Sequence, residues 1–113
     1  MDTIRVWKGA KRCEGGRDLS NYVNVEFKGE ILGTIAYDGD DGRGVTYSFY
    51  RAADGRVVAH VVRWSDYEDE DDVGDVYVFA NLNDAADVFR LHMERVGIIE
   101  RRTLTLDELE GAL

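Results

Sequence analysis

The segment that most restricts the fold is a pair of runs, VTYSFYRA (45–52) and RVVAHVVRW (56–64), separated by Ala53, Asp54 and Gly55. Both runs are dominated by β-branched and aromatic residues, which suit a pleated, half-buried surface better than a helix. Asp-Gly between them is a hairpin turn, because glycine adopts positive φ without steric cost. A two-residue turn at Asp54-Gly55 pairs Phe49 with His60, Tyr47 with Val62 and Val45 with Trp64. A three-residue loop with a bulge shifts each of these partners by one.

Further strands follow from the same period. TIRVW (3–7) is a short strand. YVNVEF (22–27) alternates strictly, with Val23, Val25 and Phe27 on one face. Lys28-Gly29 turns the chain into EILGTIAY (30–37). DVYVFA (75–80) is another strand, and IIERRTL (98–104) adds a last one.

NLNDAADVFRLHMERVG is the clearest helix, over about 84–96. Asn83 serves as its N-cap and Gly97 suits the left-handed position just past its end. Ala85, Val88, Phe89, His92, Met93 and Val96 form one apolar stripe at 100° per residue. TLDE has the capping-box form, with Thr105 and Glu108 starting a short terminal helix.

The expected fold is therefore α+β. An antiparallel meander of five to seven strands is covered on one face by the main amphipathic helix. The alternative is a small β-barrel closed by that helix. At 113 residues the chain is one domain, 1–113. Its single cysteine, Cys13, rules out an internal disulfide, and no apolar leader or membrane-length segment is present. A reducing, cytoplasmic location follows.

Charge carries the functional argument. Net charge is −9, which disfavours nucleic acid as a partner. Seven carboxylates crowd into ten residues: Asp66, Glu68, Asp69, Glu70, Asp71, Asp72 and Asp75. DGDDG adds Asp38, Asp40 and Asp41. In a meander, alternate connections lie at the same end of the sheet, so both acidic loops form one electronegative rim. Such a rim steers and orients a basic surface. The expected function is a non-catalytic interaction domain whose rim binds a basic protein partner, as inhibitors, immunity proteins and regulators do. The plainer reading is a solvated hairpin loop that keeps a strand edge soluble.

Other chemistries find less support. Neither acidic segment matches the EF-hand spacing: from Asp38 the sixth position is Arg43, and from Asp69 the twelfth is Ala80. A looser divalent-cation site built from both loops is one alternative. The other is a small enzyme or ligand pocket in the sheet–helix crevice near His60, His92 and Trp64. Isolated histidines on apolar faces are more often packed core residues than bases. Cys13 has no nucleophile signature linking it to either histidine. No catalytic residue, metal ligand or cofactor is assigned. The basic segment Lys8, Lys11, Arg12 and Arg17 reads as a solvated loop, or as a complement to the acidic rim of a second copy. A sheet face exposing Tyr50 would likewise suit a homodimer.

Overall fold

Residues 1–112 are described in the computed structural model. In chain order they form β1 (Asp2–Lys11), β2 (Cys13–Glu14), β3 (Arg17–Asp18), β4 (Asn21–Asp38), β5 (Arg43–Ala52), β6 (Val57–Ser65), β7 (Asp72–Phe79), α1 (Leu82–Arg95) and α2 (Leu106–Ala112). Strands β1, β4, β5, β6 and β7 pair antiparallel in that order and close into a barrel. β2 and β3 form a separate two-stranded ribbon. The α+β class holds, in the barrel form rather than as an open meander.

Period-two patterning in β5 and β6 explains the two faces of the central hairpin. Phe49, Val57, Ala59 and Val61 are buried against Ala85, Ala86, Phe89 and Met93 of α1. Phe89 sits edge-on to Tyr47, Phe49, Tyr77 and Phe79 at 5.4–6.0 Å between ring centres. Such edge-to-face contacts add directional attraction to the area buried. The opposite face of β6 carries His60, which is buried beneath β1.

Barrel closure rests on three pairs, Gly9↔Gly74, Ala10↔Val73 and Lys11↔Asp72. Both glycines are needed for this approach. Gly9 has φ +130, and a side chain there would run into the backbone of Asn21 and Tyr22. A Cβ on Gly74 would lie 2.7–2.8 Å from the Trp7 indole. Trp7 also lies edge-on to His60 at 5.5 Å, and the His60 Nε2–H donates to the Trp7 carbonyl at 2.8 Å. One aromatic residue thus joins β1 to β6 and β7.

Several sequence expectations change. The turn at Lys28-Gly29 and the two strands on either side of it are one strand, the 18-residue β4. Its first half pairs with β1 and its second with β5, the exchange falling at Gly29. There a Cβ would collide with the Arg51 carbonyl, so the glycine permits a close crossing rather than a reversal. A bulge between Ile31 and Gly33 bends the strand further. The radius of gyration, 17.1 Å, exceeds the roughly 13 Å of a compact domain this long, in keeping with so long a strand.

Pairing in the central hairpin is the shifted one: Phe49↔Ala59, Tyr47↔Val61 and Val45↔Arg63. Segment 98–104 is not a strand. Ile98 and Ile99 instead pack against the core. The N-cap of α1 is Asn81, not Asn83: its side-chain oxygen accepts from the Asp84 amide at 2.9 Å. Val88 is 61% exposed, because the buried stripe centres on Ala86, Phe89 and Met93, about 130° away at 100° per residue. Gly97 ends the helix as expected, with φ +77, and the Ile98 amide donates to Met93 at 3.0 Å. Thr105 caps α2 by accepting from the Glu108 amide.

Gly74→Ala is expected to destabilise the domain by about 1–3 kcal/mol, the cost of forcing an extra methyl into a packed contact. Urea unfolding followed by tryptophan fluorescence measures it. A loss under 0.5 kcal/mol, on the order of a surface substitution, contradicts the closure described.

Candidate functional site: the acidic end of the barrel

Both acidic loops lie at one end of the sheet because β5 and β6 are paired neighbours, with Arg43 opposite Ser65. The loops touch directly: the Asp66 amide donates to the Gly42 carbonyl at 2.9 Å. Arg43 then ties the first loop to the second. Its guanidinium grips Glu70 bidentately at 2.8–3.2 Å and reaches Asp41 at 3.2 Å.

Ser65 organises the second loop. Its hydroxyl donates to Glu70 at 2.6 Å and accepts from the Tyr67 amide, while its own amide donates to Asp72 at 2.9 Å. Arg43, and after it Ser65, holds the Glu70 carboxyl below its ordinary value of 4.5. The same carboxylates keep the Arg43 guanidinium firmly protonated, Glu70 most strongly.

The basic N-terminal segment also comes here. Arg12 Nε, shielded from solvent, lies 3.4 Å from Asp71 and 3.8 Å from Glu14, without hydrogen-bond geometry to either. Its Nη1 donates to the Asp69 carbonyl, and the Gly15 amide donates to Glu68. Arg12 and the β2–β3 turn thus contact the acidic rim within the same chain, Arg12 through charge and Gly15 through its amide. The hint was the Gly15-Gly16 pair, both at positive φ, which reverses the chain between two short polar strands.

The ten proposed carboxylates therefore divide. Asp41, Glu70, Asp71 and Asp75 have arginine partners. Asp75 belongs to β7, where it pairs with Arg63 away from the loop tip. Glu68 and Asp72 accept backbone amides. Asp38, Asp40, Asp66 and Asp69 are exposed, and among the described residues none of the four forms an ion pair.

Beside the rim opens a groove of about 850 Å³. Tyr37, Val45, Tyr47 and Trp64 supply its apolar walls, and Asp38, Arg43, Arg63, Glu70 and Asp71 its charges. Trp64 lies against Gly44, where any Cβ would strike the indole. Behind Tyr37 and Tyr47 sits His92. Its ring stacks on Tyr47 at 3.9 Å, and its Nδ1 shares a hydrogen bond with the Tyr37 hydroxyl at 2.9 Å. Burial, and next the Arg95 charge, lower the His92 pKa.

Trp64 lines the groove, but neither His60 nor His92 does. The two histidines lie on different elements and contact different partners, Trp7 and Tyr37. Burial is the main cause lowering the His60 pKa, against the opposing Trp7 hydrogen bond. Among the described residues, no three His, Cys, Asp or Glu side chains are arranged to hold a metal ion. No helix there is long and apolar enough to cross a membrane. Compared with protein-family models, curated proteins and solved structures, the chain matches none.

Two pH effects follow. A carboxyl lowered on folding stabilises above its unfolded value, and that stabilisation is lost as pH falls through the folded value. Arg43→Met should therefore raise the Glu70 pKa towards 4.5, as read by carboxyl-detected NMR titration. An unchanged Glu70 titration contradicts the clamp.

For His60 the unfolded state binds the proton more tightly. Stability is then full above the ordinary value of 6.5 and falls as pH drops below it. His60→Gln should flatten this decline in thermal unfolding between about pH 7.5 and 5. If wild type and variant lose stability in parallel, His60 is not its source.

Proposed function

We propose that this chain is a non-catalytic interaction domain whose acidic end binds a basic protein surface in a reducing, cytoplasmic setting. The observation that carries this reading is the division of the rim. Arg12 and Arg43 fasten the two loops into one shape, while Asp38, Asp40, Asp66 and Asp69 keep their charges without an ion pair among the described residues. A solvated loop has no need of such fastening. A docking surface gains by it, because the ordering cost is met before the partner arrives. Concentrated unpaired charge then speeds encounter and selects partners of opposite sign. An inhibitory, immunity or regulatory role fits a small domain acting through such a surface. Cys13 is exposed and free, consistent with a reducing compartment.

Capture of host proteins on the immobilised domain at low salt, with elution by rising salt, tests the reading. Replacing Asp38, Asp40, Asp66 and Asp69 together by Asn should abolish capture of the salt-eluted partner. A control replaces Asp2, Glu30, Asp87 and Glu100 by their amides. It removes equal charge elsewhere and should leave capture within about twofold, since distant exposed charges are screened. Equal loss in both variants means that net charge, not the rim, is responsible, and the proposal falls.

A further inference from the structure

We propose that the groove beside Trp64 is the seat of an arginine side chain supplied by the basic partner. The inference rests on the interaction reading above and adds the chemistry of its central contact.

The argument begins with the aromatic residues at this end. Tyr67 lies beneath the Arg43 guanidinium at 4.9 Å. Tyr37 has Arg95 over its ring at 5.4 Å, and Tyr47 is stacked on His92. Trp64 alone among them has no ring or cation over it in the described residues. Indole is the strongest cation–π acceptor of the three aromatic types. One side of it rests on Gly44, and its surface forms a wall of the groove.

Charge points the same way. Of the acids lining the groove, Glu70 and Asp71 have arginine partners, and Asp38 has no ion pair among the described residues. The two lining arginines are engaged elsewhere, Arg43 with Glu70 and Asp41, Arg63 with Asp75. An incoming cation therefore meets, in one groove, a carboxylate without an ion pair among the described residues and an indole with no ring or cation over it. Arginine fits this pair better than lysine. Its guanidinium is planar, weakly hydrated and able to stack on an indole while its edge donates to a carboxylate. The domain already places its own arginines on tyrosines a short distance away, so the geometry proposed for the partner repeats one that the fold uses internally.

The test uses three blocked tripeptides, Ac-Gly-Arg-Gly-NH2 and its lysine and citrulline counterparts, titrated into the ¹⁵N-labelled chain at low salt. The arginine peptide should shift the Trp64 indole N–H and the Gly44 amide saturably, leaving the Trp7 indole as internal control. The lysine peptide should bind about two- to fivefold more weakly, the range of an exposed cation–π contact. The citrulline peptide, uncharged but of the same shape, should leave both signals unmoved. Asp38→Asn should weaken the arginine peptide, and Trp64→Leu should remove its advantage over lysine.

Shifts confined to amides of residues 40–42 and 66–69 overturn the groove inference and leave the interaction reading standing. No shift anywhere, or binding of the citrulline peptide equal to that of arginine, also overturns it. So does a response at Trp64 to a glutamate peptide, which would assign the groove to an anion through Arg43 and Arg63. The four-aspartate capture experiment judges the interaction reading separately. Should Trp64→Leu fail to fold, Asp38→Asn and the three peptides still decide the outcome.

Discussion

The basic N-terminal segment reaches the acidic end only because two backbones approach closely where the barrel closes. Gly9 and Gly74 face one another where β1 meets β7, and Trp7 fills the space that a Cβ on Gly74 would take. Only three pairs make that seam. Yet it brings the end of β1 beside the start of β7, with Lys11 opposite Asp72. The β2–β3 ribbon begins two residues later, so the closure delivers Arg12 to Asp71 and Gly15 to Glu68. An open sheet with the same strands would leave Arg12 and the ribbon that follows it away from the rim. The seam is thus the structural reason why Arg12 joins Arg43 as a counterion of the acidic loop.

Much of the fold was legible because it follows from periodicity. β-Branched alternation marked β5, β6 and β7, and the Asp-Gly turn joined the central pair. That alternate connections share an end of the sheet placed both acidic loops together, as the Asp66–Gly42 hydrogen bond shows. What misled were glycines with two physical uses. Gly29 looked like a turn residue, but it serves a close crossing where β4 exchanges partners. No local pattern separates those roles, since both require only a missing Cβ. The hairpin register likewise depends on one loop residue, and a single slip sends Phe49 and His60 to opposite faces. The choice of Asn81 over Asn83 turned on where the chain left β7, which neither asparagine encodes.

The site was half legible. Which residues are acidic is plain from composition, and their meeting follows from topology. Which of them stay unpaired does not, because that depends on contacts across long sequence separations. Arg12 reaches Asp71 only once β1 and β7 pair, and Arg43 reaches Glu70 only once β5 and β6 do. Trp64 could be named, but not that, among the described residues, no ring or cation lies over it, since that depends on where the other aromatic residues and arginines fall. Asp38 and Trp64 share one groove because Gly44 of β5 pairs with Asp38 on one side and Trp64 on the other.

The division of the rim also bears on how strongly such a surface can act. Exposed ion pairs contribute little to stability in high dielectric, so Arg12 and Arg43 are poorly explained as a means of holding the barrel together. Their effect on shape is larger. Seven carboxylates within ten residues repel one another, and a loop carrying them unaided would spread into solvent. Two guanidiniums offset that repulsion at Glu70 and Asp71 and leave the charges on Asp38, Asp40, Asp66 and Asp69 pointing outward on a fixed frame. The basic partner proposed above would then meet fewer charges than the composition implies, but in constant positions. For specificity that exchange is favourable, because complementarity depends on where charges sit, whereas their number mainly sets the long-range attraction.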